Sequence, residues 1–271
     1  MEGDNLELII RLSFFFGIFA IMALWELKSP RRPLRGSKQF RWLNNIGITF
    51  FNTLLLRLLF PTAAVGVALY VSQQQWGLLN QINLPLWLEI IIAVVILDLC
   101  IYLQHRLFHR VPWLWRLHMM HHSDVDLDVT SGARFHPIEI VLSMLIKMAI
   151  ICLLGPAIVA ILIFEVILNA VAMFNHSNVR IPSQVDRVLR RFVVTPDMHR
   201  VHHSVIKDET NSNYGFNLPW WDRLFGSYCA QPMKGHDEMT IGLQQFQQPQ
   251  RQSLKWILRL PFKETGGGYD Q

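Results

Sequence analysis

From Leu84 to Leu103 the chain reads LPLWLEIIIAVVILDLCIYL, twenty residues among which only Glu89 and Asp98 carry charge. As a helix this run would rise ~30 Å, at about 1.5 Å per residue, which is the thickness of a bilayer's hydrocarbon core. No water is present there to pair with backbone N–H and C=O groups, so such a segment has to close its hydrogen bonds on itself, as a helix. Three other stretches make the same demand. Leu6–Leu27 is a span candidate with Arg11 near its start and Trp25 near its end. Ile46–Val71 is interrupted by Arg57 and Pro61, and reads either as one kinked span or as an interfacial piece followed by a shorter span. Pro137–Phe174 is divided by Gly155-Pro156 into halves of about 19 residues. Each half would cover ~28 Å, so the segment reads as a hairpin that enters the bilayer and returns. Hydrophobic residues make up 51% of the chain and charged ones 17%, a balance too apolar for an ordinary soluble domain. The expected fold is all-α: a polytopic membrane protein with about four to five transmembrane or re-entrant helices and a cytoplasmic helical cap.

The formal net charge is +5, but the basic residues form no stripe that would track nucleic acid, and none is expected as a partner. The densest group, Lys28, Arg31, Arg32, Arg35, Lys38 and Arg41, lies between the first two apolar runs, where Lys and Arg mark a cytoplasmic loop. The leader MEGDN is acidic and lacks the positive n-region of a cleaved signal peptide. We expect a retained anchor with a non-cytoplasmic N-terminus, in a bacterial cell membrane or, in a eukaryote, the endoplasmic reticulum. Counting through the spans then brings residue 105 and, after the hairpin, His176 out on the cytoplasmic side. Cys100, Cys152 and Cys229 form no spaced framework and read as reduced, buried thiols. SLKWILRLPF (Ser253–Phe262) alternates apolar and basic residues, and reads either as lying on the bilayer surface or as packed on the cap.

Ten of the eleven histidines fall between His105 and His203. YLQHRLFHR puts His105 and His109 at i and i+4, on one helix face. RLHMMHHSD adds His118, His121 and His122, and MHRVHHS repeats that spacing with His199, His202 and His203. FHPIE with His136 and FNHSN with His176 lie between them. One His-x-x-His-His is expected by chance in roughly two chains in a hundred of this length, and two together far more rarely. Neutral imidazole is the commonest nitrogen ligand for iron, zinc, copper or nickel. Eight to ten such donors exceed what one ion can use, so two ions are inferred, and spacing does not name them. Asp98 and Glu165 sit inside apolar runs, where ionisable groups are costly and mark function. Each is read either as a carboxylate accepting the free N–H of a ligating histidine or as a buried structural hydrogen-bond partner. Lys147 and Arg57 read as snorkelling or paired, and His236 as a surface residue.

HRLFH, HMMHH and HRVHH, in that order and with eight residues between His109 and His118, resemble the fatty acid hydroxylase/sterol desaturase superfamily of integral-membrane di-iron enzymes. The flanking DLCIYLQHR, FHPIE, TPDMHRVHHS and NSNYGFNLPWWDRLFGSY agree, and the resemblance covers Asp98–Tyr228. It implies an N-terminal transmembrane anchor region (1–97), a catalytic domain (98–228) and a C-terminal cytoplasmic tail (229–271). It implies that His105, His109, His118, His121, His122, His199, His202 and His203 are metal ligands. His176 fits the family's intervening histidine, and His136 is either a ligand or an outer or substrate-side partner. The implied cofactors are two iron ions, with O₂ as co-substrate. The implied substrate is a lipid (a fatty acyl, sterol, carotenoid or ether-lipid chain) that is hydroxylated or desaturated. The chain has no haem-attachment CxxCH, dinucleotide fingerprint or ferredoxin cysteines. The electrons are therefore expected from a separate donor, a reductase with a ferredoxin- or cytochrome-type carrier. Arg106, Arg110, Arg116, Arg134 and Arg200 surround the boxes and read either as a docking patch for that carrier or as partners of headgroups and local carboxylates. The competing classes are a metal transporter or sensor, whose ligands would lie near the bilayer midplane on broken helices, and a zinc-dependent hydrolase, which would work without oxygen.

Overall fold

A computed structural model describes residues 2–263 of the chain, with side chains from residue 8 onward. Thirteen α-helices follow one another, with no strand among the described residues. The long ones are α1 (Glu2–Lys28), α2 (Lys38–Leu59), α3 (Ala63–Gln73), α4 (Leu86–Arg110), α6 (Pro137–Leu154) and α7 (Ile158–Asn175). Another helix, α5 (Pro112–His122), lies between α4 and α6. After α7 come α8 (Ser183–Leu189), α9 (Pro196–His202), α10 (Lys207–Thr210), α11 (Trp220–Leu224), α12 (Gly235–Glu238) and α13 (Leu254–Lys263). Five stretches, Leu8–Lys28, Lys38–Gln73, Leu86–Arg110, Pro137–Leu154 and Ile158–Asn175, are long and apolar enough to cross a membrane. The protein is an all-α, multi-pass membrane protein.

The breaks between helices follow local chemistry. Phe60 precedes Pro61 and leaves the helical region (φ −133°, ψ 73°), because a proline ring crowds the backbone of the residue before it. Hence α2 and α3 are separate helices, and α3 packs on α6 and α7. Val111 is extended before Pro112 (φ −93°, ψ 117°), which ends α4 and starts α5 with proline in the first turn, where its missing N–H costs nothing. Gly155 closes α6 with a left-handed φ of 65°. A Cβ there would stand 2.4 Å from the Trp76 carbonyl oxygen, so the hairpin turn and its contact with the α3–α4 link both require glycine.

Ala64, Ala68, Leu97, Ile151, Ile161 and Phe164 form a buried cluster where α3, α4, α6 and α7 meet. A second cluster, including Ile48, Trp115, Met119, Met120, Phe246, Ile257 and Leu260, joins α2, α5 and α13 at the histidine-bearing end. Ser253–Phe262 therefore packs on the cap through fully buried Ile257 and Leu260, while Phe262 remains exposed.

The cap is also held by buried ions. Arg41, 1% exposed, donates to Asp124 Oδ1 and Asp128 Oδ2 at 2.6 Å each, and to the Asp126 carbonyl at 2.9 Å. Arg134, fully buried, donates to Asn45 Oδ1, the Met120 carbonyl and Ser123 Oγ. Arg31 pairs with Asp197 and Asp237. The basic loop that reads from sequence as a topology signal thus spends part of its charge inside the cap. His236, expected at the surface, is 6% exposed and lies 3.7 Å from Asp197. Burial opposes ionisation of Asp124, but the guanidinium groups of Arg41 and Arg134 outweigh it and hold the carboxyl well below the usual carboxylate range. Since the folded value lies below the unfolded ~3.9, this stabilisation is complete above that pH and lost only as pH falls further. Arg41→Ala removes the guanidinium that bonds two buried carboxylates, Asp124 and Asp128, and should cost about 3–5 kcal/mol, read as a lower unfolding midpoint in detergent at neutral pH. An unchanged midpoint would show that the hub is not a stability element.

Candidate metal centre

Nine imidazoles meet at the end of the bundle where α4 and α7 finish and α6 begins. Their ring nitrogens fall into two groups, His105, His109, His118, His122 and His202 in one, and His121, His176, His199 and His203 in the other. Within each group the nitrogens lie within 4.8 Å of one another. The groups abut, with the rings of His122 and His203 stacked at 4.5 Å between centroids.

Each contributing segment has a local reason for its shape. Pro112 turns the chain between α4 and α5 so that the first two boxes face each other. In TPDMHRVHH, Thr195 caps α9 by accepting the Met198 N–H, and Pro196 occupies the first turn. Gly132 passes over the end of α7 so closely that a Cβ would lie 2.6 Å from the Ala172 carbonyl and 3.1 Å from His176 Nδ1.

The outer nitrogens are tied to acceptors, which fixes the tautomers. His105 Nδ1–H donates to the Tyr214 carbonyl at 2.8 Å, His176 Nδ1–H to Ala172 at 2.8 Å, and His202 Nδ1–H to Ser212 at 2.7 Å. His118 Nδ1–H donates to the Glu139 carboxylate at 2.7 Å. The Nε2 atoms of these rings therefore carry lone pairs. His105 Nε2 and His118 Nε2 nevertheless face each other at 3.1 Å. His176 Nε2 stands 3.2 Å from His121 Nε2 and 3.0 Å from His199 Nε2. His202 Nε2 and both nitrogens of His122 are buried with no hydrogen-bond partner among the described residues. The two lone pairs that His105 and His118 bring to 3.1 Å cannot hydrogen-bond. A shared cation, with bonds of about 2.1 Å, satisfies them. The residues present fit two metal ions.

Charge state agrees. Burial pushes His118 and His176 down to about 3, and burial together with neighbouring imidazoles pushes His121, His122, His199 and His203 well below the ordinary histidine range. Neutral imidazole is the form that binds metal.

The remaining sequence candidates stand elsewhere. His136 caps α6, its Nδ1 accepting the Ile138 N–H at 3.2 Å while Nε2–H faces the Leu258 carbonyl. It joins neither group. Asp98 receives no histidine N–H. It accepts Trp221 Nε1–H at 2.8 Å and the Asn217 and Leu218 N–H groups at 3.2 Å, pinning the 217–221 segment against α4. Glu165 accepts from Lys147 Nζ at 2.8 Å and Arg11 at 2.5 Å, also away from the histidines. The carboxylate that does hold an imidazole is Glu139, in the FHPIE segment beside His136. Its sequence signal is an acidic residue in the first turn of a largely apolar helix. Segment 211–228 supplies the carbonyls of Ser212 and Tyr214, and Asp222 braces that loop by accepting the Tyr214 and Gly215 N–H groups. Of the five arginines near the boxes, Arg134 and Arg200 are fully buried and cannot dock a carrier.

Beside the imidazoles opens a mostly apolar cavity of about 180 Å³. Phe108, Phe135, Met144, Leu168 and Phe216 line it, along with His105, His118, His121, His199 and Glu139.

Residues 90–227, half of the chain, match the fatty acid hydroxylase family. The chain belongs to that family. It is 28% identical over 241 residues to an ornithine lipid hydroxylase of Rhizobium tropici, a match covering 84% of this chain and 69% of that one. Human alkylglycerol monooxygenase matches at 25% over 169 residues, covering 59% of this chain and 35% of the relative. A very-long-chain aldehyde decarbonylase of Oryza sativa subsp. indica matches at 28% over 177 residues, covering 59% and 28%. The chain thus spans about two thirds of the bacterial relative's length and about a third of the other two. No solved structure matches it. Membership of the fatty acid hydroxylase family places the protein among lipid-modifying oxidoreductases.

Two outcomes test the centre. Glu139→Gln should lower metal affinity about 10–100-fold without preventing folding, measured by competition with a chelator. An unchanged affinity would show that Glu139 does not support His118. Metal should also stay bound between pH 7 and pH 5, because the folded imidazoles titrate far below the unfolded ~6.5, His118 and His176 at about 3, and keep their donor form until then. The stability that this lends the fold is complete above ~6.5 and declines as pH falls toward the folded values. Loss of metal on dialysis at pH 5 would contradict this.

Proposed function

We propose that the protein is a membrane di-iron oxygenase that oxidises a C–H bond of a lipid. The observation that carries the reading is the pair of imidazole groups with facing lone pairs, set in the wall of an apolar cavity. His105, His109, His118, His122 and His202 would hold one iron, and His121, His176, His199 and His203 the other. When bound, the two irons would supply the activation of O₂ that lets an unactivated C–H bond be oxidised. For hydroxylation the balance is R–H, O₂, two electrons and two protons giving R–OH and water.

The chain's own residues position and protect. Phe108, Phe135, Leu168 and Phe216 exclude water from the reacting end of the cavity and keep an alkyl chain against the imidazoles. Glu139 and the carbonyls of Ser212, Tyr214 and Ala172 hold the outer protons of His118, His202, His105 and His176, so the inner nitrogens of those four rings stay free to bind metal. The relatives are an ornithine lipid hydroxylase, an alkylglycerol monooxygenase and an aldehyde decarbonylase, and a lipid substrate for this chain is inferred from the family and from the cavity's walls.

The two electrons come from a separate protein. Arg110 is exposed, and Arg106 and Arg116 are partly so, and these side chains near the centre would face an acidic carrier. We place the histidine-bearing end on the cytoplasmic side, because the Lys- and Arg-rich segment 28–41 packs there.

Purified protein should contain two irons per chain and, with a reducing system, convert lipid to a product carrying ¹⁸O from ¹⁸O₂. A desaturated product without label would mean hydrogen removal in place of oxygen insertion. Oxygen-independent turnover would reject the reading. His122→Ala and His203→Ala should each lose metal and turnover while still inserting into membranes, and full activity in either would reject the ligand assignment.

A further inference from the structure

The sequence of α6, PIEIVLSMLIKMAIICLL, is apolar apart from Cys152 and three side chains spaced four residues apart, Glu139, Ser143 and Lys147. That spacing stacks them in one stripe, and all three line the cavity beside the imidazoles. Glu139 stands at the histidine end, holding His118. Ser143 comes next and accepts Gln104 Nε2–H at 2.8 Å. Lys147 is eight residues beyond Glu139, or ~12 Å along the helix. The cavity is thus apolar on most sides but carries a polar rail with an ammonium at its far end.

An ammonium in the middle of a span is costly and needs a reason. Neutralising Glu165 is not a sufficient one, since that carboxylate already takes Arg11 at 2.5 Å on its other oxygen. Lys147 has three N–H donors. Among the described residues its partner is Glu165 Oε1 alone, at 2.8 Å. Its side chain is 15% exposed, and the space around it is the cavity. We propose that Lys147 is a specificity-determining residue: its remaining N–H groups receive an oxygen acceptor of the lipid substrate, most favourably a carboxylate, held ~12 Å from the carbon that reacts. The inference rests on the reading of this cavity as the substrate site. It narrows the substrate class to chains with an acceptor at that remove from the oxidised position, and excludes plain hydrocarbon.

The test is direct binding of tritiated hexadecanoate and tritiated hexadecan-1-ol to metal-loaded protein in detergent, with no reductant, so that nothing turns over. Wild type should bind the carboxylate at least about tenfold more tightly than the alcohol, as a charge-assisted hydrogen bond allows. Lys147→Met should bring that ratio close to one, and Lys147→Arg should keep it, both with unchanged metal content. Should Lys147→Met fail to fold, Glu165→Gln gives an effect of opposite sign. By releasing the ammonium from its partner it should tighten hexadecanoate binding severalfold. Equal binding of the two probes by wild type, a ratio that survives Lys147→Met, or hexadecanoate binding unchanged or weakened in Glu165→Gln would each overturn the proposal. None of these results touches the oxygenase reading, which fails separately if the protein lacks metal or oxygen-dependent product.

Discussion

Everything at the functional end of this molecule depends on imidazole lone pairs that face one another with no proton between them. His105 and His118 meet at 3.1 Å with both outer N–H groups already donated, to the Tyr214 carbonyl and to Glu139, and His176, its own N–H given to Ala172, holds its lone pair 3.0 Å from His199. In a buried site such an arrangement is repulsive and desolvated. Nine imidazoles kept this way suit cations held between them, as the proposed function requires. The buried ion hub, the proline-directed turns and the capped α9 can all be understood as the means of holding nitrogens where they would not otherwise stay.

The supports come from distant parts of the chain. Arg41, on a helix that enters the membrane, gathers Asp124, Asp126 and Asp128, and so fixes the loop that follows His121 and His122. Asp98, in the interior of α4, reaches across to Asn217, Leu218 and Trp221, and so holds the segment whose carbonyls orient His105 and His202. Asp98, which looks like a metal-site residue because it is buried in an apolar helix, acts here at one remove, on the backbone that carries the partner groups. Breaking either support should therefore disturb the imidazoles without touching one.

The cavity links this centre to the bilayer. Its walls are drawn from α2, α4, α6 and α7 together with Phe135 and Phe216, so it exists only when the spans and the cap are assembled. Aromatic and aliphatic side chains dominate near the imidazoles, while the ionic group of Lys147, Glu165 and Arg11 lies deeper in the spans. A long amphiphile matches that succession, whereas a small polar molecule would leave most of the wall unused.

Much of this was legible in the sequence. Apolar run lengths set the spans, because a backbone in hydrocarbon has no alternative to a helix. Pro61 and Gly155 marked two of the breaks, because their constraints or freedom in φ and ψ act locally. The repeated His-x-x-His-His named the histidines that converge, and NSNYGFNLPWWDRLFGSY belonged with them. Only the tertiary structure divided those histidines between two groups. Adjacent helical residues point about 100° apart, so His121 and His122 serve different groups, as do His202 and His203, and no spacing rule could assign them. It also decided among the carboxylates: Glu139 meets an imidazole while Asp98 and Glu165 do not. That depends on how α4, α5, α6 and α7 are rotated about their axes, which is settled by packing between helices far apart in the chain.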